Sequence, residues 1–349
     1  EQGHDVHIVY QTSGNIAVSD TDARKYAEIA MQINPSDAAK NIIESISDKN
    51  ETRIDSPEVR NLKGKIRRGE SYAATRYMGL QDENVHFLEN SEPELLGHKV
   101  LAVNLSDLAA MGASPAWASL AITLPAIDKA WLASFAKGFF ELAERYSLQL
   151  IGGDTTRGPL SITVNVMGLL PKQQRLMRSG ANVGDDIYVS GHIGIAGLGL
   201  EKARQGYLNM MDAELCSYLK PNPQVALGRE LLNVATSCID VSDGLSADLS
   251  HLLKASGVGA SVWDECLPVT ESVRQHASKL SDDLWPYSTG DDYELCFTLP
   301  SNLNADELSK LHKYDITKIG VIEKEAGLRV EVKNGKIFTL NKGYDHFAS

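Results

Sequence analysis

Cysteine is scarce in this sequence, and its spacing excludes the structures that cysteines most often build. The four cysteines, Cys216, Cys238, Cys266 and Cys296, are widely separated and form no Cys-x-x-Cys pair. This spacing argues against both a zinc site and a disulfide framework. We therefore expect buried thiols in a reducing compartment, the cytoplasm.

The sequence also lacks long apolar runs and a net positive charge. No stretch approaches the roughly 18 residues that span a bilayer, and Glu1–Asp5 lacks the layout of a signal peptide. The net charge of −12 argues against a nucleic-acid or membrane-surface partner, because phosphate backbones favour a basic face. These absences leave small molecules as the expected partners.

Proline and low-complexity sequence are too sparse for a disordered chain. The 349 residues include 12 prolines, with 43% hydrophobic and 23% charged residues, which is typical of a globular protein. This length predicts two domains, with three as the alternative. After residue 90 the sequence predicts helices at 92–111, 128–146 with Asp128 as N-cap, 225–235 and 245–255. It predicts strands at 116–124, 148–151, 161–169, 187–190, 260–263, 294–298 and 318–322. Before residue 91 it predicts strands at 7–10 and 85–88 and helices at 20–33, 35–47 and 56–78. Strands and helices alternate along the chain, so the fold class is α/β or α+β.

The common glycine-rich phosphate loops, of the Walker and protein-kinase kinds, are absent as well. Four carboxylate clusters are present instead, each predicted where a helix or strand ends: Asn104–Asp107, Gly152–Thr156, Asp240–Gly244 and Gly290–Glu294. Asp beside Gly allows close approach of the backbone to a ligand, while the carboxylate faces a hard cation such as Mg²⁺. The clusters predict a metal-dependent phosphate enzyme, and acidic turns or helix caps are the alternative.

Several strings resemble the signature of the thiamine-monophosphate kinase family, in the family's order. They are Gly97–Ala113, Ile151–Ser161, Arg178–Ala181, Asp240–Leu245, Gly290–Leu295 and Gly343–Phe347. The resemblance covers about residues 86–349. It implies the two-domain α/β fold of aminoimidazole-ribotide-synthetase-like enzymes and a homodimer. The implied reaction transfers the γ-phosphate of ATP directly to thiamine monophosphate, giving thiamine diphosphate, with several Mg²⁺ ions as cofactors.

The resemblance also implies a role for individual residues. Mg²⁺ would be bound by Asp107, Asp154, Asp240 and Asp243. ATP would be contacted by Gly153, Asp154, Arg178 and Ser242, and thiamine monophosphate by His86, Glu294 and Tyr344. Two positions depart from the family: Ile195 replaces a usual Asp, which would weaken a polar contact, and Thr289 replaces a common Gly, which we expect to be tolerated.

The first 85 residues differ from this family. They lack its Gly-Asp-Asp-Ala and Thr-Asp-Thr-Leu motifs, which supply Mg²⁺ and ATP ligands, and instead resemble a fragment of a glucosamine-6-phosphate-deaminase-like protein. The strings that carry this second resemblance are Gly3–His7, Thr12–Val18 and Arg67–Tyr77. The two resemblances meet at Val85–Glu89, as a recombined reading frame would leave them; a true fusion of domains is the alternative.

We therefore divide the chain into a foreign segment, 1–85, an incomplete ATP- and Mg²⁺-binding domain, 86–172, and a C-terminal domain, 173–349. Loss of the family's own N-terminal strands and ligands would weaken both folding and catalysis. Two other functions stay open from the sequence. One is a sugar-phosphate deaminase or isomerase-like fragment, and the other is an ATP-dependent synthetase of the same superfamily.

Overall fold

The computed structural model describes residues 9–12, 40, 91–207, 209–303, 310–311, 313–333 and 335–340. The first group of elements forms a four-stranded sheet covered by two helices. These elements are β1 (Val9–Thr12), α1 (Pro93–Ala110), β2 (Ser114–Leu124), α2 (Lys129–Arg145), β3 (Gln149–Arg157) and β4 (Ser161–Leu169). The strand order is β1-β4-β2-β3, in which β2 and β3 are parallel and the other pairs are antiparallel.

The second group of elements forms a seven-stranded mixed sheet with helices. They are β5 (Asp186–Ser190), α3 (Ile195–Arg204), α4 (Ala213–Leu219), α5 (Val225–Leu231), β6 (Ser237–Val241), α6 (Leu245–Ser256), β7 (Gly259–Trp263), α7 (Glu271–Leu280), α8 (Trp285–Ser288), β8 (Glu294–Leu299), β9 (Ile316–Glu323), β10 (Gly327–Glu331) and β11 (Ile337–Leu340). The strand order is β11-β10-β7-β9-β5-β8-β6, and only β10 and β7 pair in parallel.

Helix α2 begins where the sequence predicts it. The Asp128 carboxylate accepts the N–H groups of Ala130 and Trp131 at 2.9 and 3.1 Å, which satisfies two donors that a helix start leaves open. The rings of Trp131 and Phe135 stack with their centroids 5.2 Å apart. The predicted cap at Asp128 is therefore confirmed.

Helix α1 is buried on most of its surface because it packs against elements of both groups. It contacts α2 and β4 on one side and α5 and β6 on the other. Glycines permit this close packing: a Cβ at Gly97 would lie 2.0 Å from the Phe135 carbonyl oxygen, and one at Gly228 would lie 2.0 Å from that of Ala109. Helix α1 thus carries its polar side chains to the junction of the two groups.

Two predicted boundaries are wrong. Strand β3 does not end at Ile151 but continues to Arg157, so the Gly152–Thr156 cluster lies inside a strand. Helix α5 ends at Leu231 rather than Ala235. The strand predicted at 7–10 overlaps β1, which runs from Val9 to Thr12. The strand predicted at 85–88 and, apart from residue 40, the helices predicted before residue 91 lie outside the described residues. Among the described helices, none has the length and apolar character that a membrane span requires.

Candidate functional site

Two carboxylates from different domains meet where α1 faces β6. The Ser106 hydroxyl, from α1, donates a 2.8 Å hydrogen bond to Asp240 Oδ2 at the end of β6. Burial, together with the neighbouring Asp240 carboxylate, raises the pKa of Asp107 to about 8. Burial likewise raises the pKa of Asp240, which is 5% exposed. The fold therefore holds two carboxylates together at a cost that a cation would offset.

Arg178 contributes positive charge to this pair. Burial raises the pKa of both Asp107 and Asp240, and the guanidinium of the exposed Arg178 partly opposes that rise. A guanidinium presents a fork of donors that suits carboxylate or phosphate oxygens. The exposed position leaves such donors accessible to an anionic ligand.

The Ser242–Asp243 loop follows β6 and is held by a carboxylate that the sequence reasoning missed. Asp248, in the first turn of α6, accepts the N–H groups of Ser242 and Asp243, both at 3.0 Å through Oδ2. Burial, with the charges of Asp240 and Asp243, raises the pKa of Asp248 to about 8. The sequence signal was an Asp in the first turn of a helix that follows Gly244, from where its side chain can accept hydrogen bonds from the preceding loop.

The Gly290–Glu294 cluster forms a turn that lies against this loop. The N–H of Asp291 donates to the Ser242 carbonyl and that of Tyr293 to the Val241 carbonyl, both at 2.8 Å. Asp291 and Tyr293 have backbone φ angles of 70° and 51°, which residues other than glycine rarely adopt. Such backbone strain persists where the surrounding structure fixes it, most often at functional sites.

Asp292, in the same turn, binds the backbone at the start of helix α3. Its buried carboxylate accepts the N–H of Gly194 at 2.7 Å and that of Ala196 at 3.2 Å, at the start of α3. It therefore caps the helix that begins at Ile195, one of the two departures from the family. The other, Thr289, lies against Gly197, where an added Cβ would come within 1.7 Å of the Thr289 hydroxyl.

Glu294 begins β8 and is mostly buried. Its carboxylate accepts hydrogen bonds from the Ser190 hydroxyl and, at 3.3 Å, from Gln224 Nε2. Burial raises its pKa to about 7, with a small contribution from the charge of Asp315, and the two donors oppose this effect. Glu294 can therefore change its charge near neutral pH.

Asp154 and Gly153 lie on the edge strand β3 with other neighbours. Asp154 is exposed, accepts the N–H of Thr155 at 2.8 Å, and lines a shallow cavity with threonines and a serine of β2, β3 and β4. A Cβ at Gly153 would lie 1.8 Å from the Leu120 carbonyl oxygen, so this position requires glycine. The structure thus brings together Asp107, Asp240, Asp243 and Arg178, and it places Asp154 on an exposed strand.

The remaining predicted substrate residues, His86 and Tyr344, lie outside the described residues. Besides Asp248, the sequence reasoning missed Lys99, a buried side chain of α1 that pairs with Asp291. A charged residue inside an otherwise buried helix was the signal that could have identified it.

The donor set fits Mg²⁺ through few protein ligands at a time. In the part of the chain that the structure describes, no group of three or more His, Cys, Asp or Glu side chains is arranged to hold a metal ion. Mg²⁺ commonly takes one or two carboxylates and completes its octahedron with water and substrate phosphate. The neighbouring carboxylates of half-buried Asp107 and buried Asp240 match that mode of binding.

Comparison with known proteins supports the two-domain fold. The family model described as AIR synthase related protein, N-terminal domain, matches residues 78–170, and that of the C-terminal domain matches residues 182–333. The fold and site therefore define a two-domain α/β protein of the AIR synthase-like class.

Sequence identity to individual relatives assigns the chain to one family within this class. The thiamine-monophosphate kinase of Escherichia coli (strain K12) is 45% identical over 272 residues, which cover 76% of this chain and 83% of the relative. The crystal structure of thiamine-monophosphate kinase from Stenotrophomonas maltophilia K279a is 41% identical, with a TM-score of 0.67, and the match covers 72% of this chain and 83% of that one. The structure of AaThiL complexed with AMPPCP and TMP is 30% identical, with a TM-score of 0.67 and coverage of 76% and 84%. This chain belongs to the thiamine-monophosphate kinase family.

Proposed function

We propose that this protein transfers the γ-phosphate of ATP to thiamine monophosphate and gives thiamine diphosphate. The observation that carries the proposal is the meeting of the half-buried Asp107 and the buried Asp240, carboxylates from different domains, beside the Arg178 guanidinium. Relatives of this chain bear the name thiamine-monophosphate kinase, and one is complexed with AMPPCP and TMP. The same support argues against the alternative of a sugar-phosphate deaminase or isomerase.

The chain's own residues have separable tasks in this reaction. Asp107, Asp240, Asp243 and the exposed Asp154 would bind several Mg²⁺ ions, with one or two carboxylates to each ion. When bound, Mg²⁺ would neutralise the charge that two polyanionic reactants bring together. Arg178 would contact phosphate oxygens through its fork of donors.

Nucleotide and acceptor would occupy neighbouring positions. Ser242 would contact ATP through its hydroxyl, because its backbone N–H and carbonyl are already bonded to Asp248 and Asp291. Gly153 and Asp154 would contact ATP from β3. Glu294 would attract the positive thiazolium of the acceptor in its ionised form, and the Tyr344 ring would stack on that heterocycle. His86 would contact the acceptor as well.

The organisation of the chain is part of the proposal. We retain residues 1–85 as a foreign segment, 86–172 as the N-terminal domain and 173–349 as the C-terminal domain. Each protomer would join a second copy through the first sheet, and the protein would act in the cytoplasm. The length of β3, its exposed side chains and its position at the sheet edge support this pairing.

A direct assay tests the proposed activity. The purified chain is incubated with ATP, Mg²⁺ and thiamine monophosphate, and thiamine diphosphate is measured. Asp107→Ala is expected to abolish turnover, while Asp283→Ala, an exposed carboxylate of the same type, is expected to retain it. Equal turnover in the Asp107 variant and the parent would refute the metal-binding role.

A parent chain without turnover calls for a second, grafted chain. The relatives' own N-terminal strands replace residues 1–85 and the same assay is repeated. Restored turnover would support a foreign segment on a competent kinase. Turnover of glucosamine 6-phosphate, with none of thiamine monophosphate in either chain, would favour the deaminase alternative.

A further inference from the structure

A buried lysine of α1 has no task in the reaction described above. The Lys99 side chain is 8% exposed, and its Nζ lies 3.4 Å from Asp291 Oδ2. The same Nζ lies 3.4 Å from the centroid of the Tyr218 ring. Burying an ammonium is costly unless it is paired, and an aromatic face adds further compensation. Both partners come from the second domain, whereas Lys99 belongs to the first.

The partner carboxylate belongs to the strained turn of the site. Asp291 Oδ1 also accepts the hydroxyl of Tyr293 at 2.9 Å, so both carboxylate oxygens are engaged. The backbone N–H of Asp291 donates to the Ser242 carbonyl at 2.8 Å. The ion pair therefore fixes one side of the turn, and the backbone bond ties the other side to the loop that carries Asp243.

Helix α1 connects this contact to the carboxylate pair. Asp107 follows Lys99 by eight residues on one continuous helix, which is about 12 Å along the axis. Ser106 forms the second polar contact of this helix with the site, through Asp240. Two contacts at different positions along α1 resist both sliding and tilting of this helix relative to the second domain.

We propose that Lys99 is a positioning residue, which acts through Asp291 to hold the Gly290–Tyr293 turn against the Ser242–Asp243 loop and to keep Asp107 aligned with Asp240. This inference rests on the proposed function for its kinetic consequences. Lys99 itself is too buried to contact the reactants. Its substitution should therefore affect the geometry of the site more than the binding of either substrate.

Kinetics of a matched pair of variants test the kinetic part. Lys99→Met removes the charge and keeps an unbranched apolar side chain, and Lys137→Met makes the same change at an exposed ion pair with Glu94. Misplacement by about 1 Å can cost a hundredfold in rate, so we expect kcat to fall tenfold to a hundredfold in Lys99→Met. The KM values should stay within about threefold, and Lys137→Met should match the parent.

A double-mutant cycle distinguishes action through Asp291 from a separate effect. Asp291→Asn should lower kcat by a similar factor, and the double variant should be no slower than the slower single variant. Multiplicative losses in the double variant, or a parental kcat in Lys99→Met, would overturn the proposal. The side chain of Asp291 is 27% exposed, so its variant tests the contact even where Lys99→Met does not fold.

Hydrogen exchange provides a measurement that does not depend on activity. In Lys99→Met the amides of Asp291 and Tyr293, bonded to the Ser242 and Val241 carbonyls, should exchange faster than in the parent. The amides of the β7–β10 pair serve as the internal control and should be unchanged. Unchanged exchange at the turn, or a uniform increase with a lowered Tm, would refute positioning. An inactive parent would refute the proposed function alone, since the exchange result would still decide the role of Lys99.

Discussion

Glu294 gives a prediction that links its burial to the pH dependence of folding. The pKa of this carboxyl in the folded protein is about 7, against an ordinary value of 4.5. The native state therefore binds more protons than the unfolded state between these values, and stability must fall as the pH rises through them. The loss of stability amounts to about 3 kcal/mol, complete above pH 7 and absent below pH 4.5.

Substitution by glutamine removes this dependence. Glu294→Gln has the same shape and cannot ionise, so its free energy of unfolding relative to the parent should rise by about 3 kcal/mol between pH 4 and pH 8. Urea unfolding at intervals across this range measures the difference. A constant offset from the substitution itself is expected and does not affect the test, because only the slope with pH reports on ionisation.

A second variant tests how a neighbouring hydrogen-bond donor affects the pKa of Glu294. Gln224 donates to Glu294 Oε1 and favours its ionised form. Gln224→Leu should therefore raise the pKa of Glu294 further and extend the loss of stability to higher pH. A free-energy difference between Glu294→Gln and the parent that stays flat from pH 4 to pH 8 would refute the assigned burial of this carboxyl.

Three further outcomes follow from single contacts. Gly197→Ala should lower the free energy of unfolding in urea by roughly 1–3 kcal/mol, because the added Cβ meets the Thr289 hydroxyl. Adding Thr289→Gly should restore most of this stability, and a failure of that rescue would contradict the packing. Asp292→Ala should cost roughly 2–5 kcal/mol in urea unfolding because the N–H groups of Gly194 and Ala196, at the start of α3, lose their acceptor. Asp292→Asn should cost less, and equal losses would contradict the cap. Asp248→Ala should lower kcat more than Asp248→Asn, which keeps an acceptor for the loop that carries Asp243; kcat equal in both would argue against that support.

The local patterns of the sequence determined much of the fold. Helix α1, helix α2 with its cap at Asp128, and strand β4 lie within one or two residues of their predicted positions, because caps and apolar periodicity act over a few residues. The extension of β3 could not be predicted in this way. Its Gly152-Gly153 pair indicates a turn locally, whereas pairing with β2 keeps the backbone extended.

The sequence by itself determined the family of this protein and predicted the chemistry of its candidate site. Its carboxylates beside glycines, the absence of other phosphate loops, and the order of its motifs indicated Mg²⁺, phosphate and the kinase family. Only the tertiary structure decided which carboxylates lie together, because Asp107 and Asp240 are far apart in the chain and meet only where α1 packs against β6. It also decided the partners of Lys99 and Asp248: each has only a weak signal in the sequence, and the fold buries Lys99 against Asp291 and places Asp248 under the Ser242–Asp243 loop.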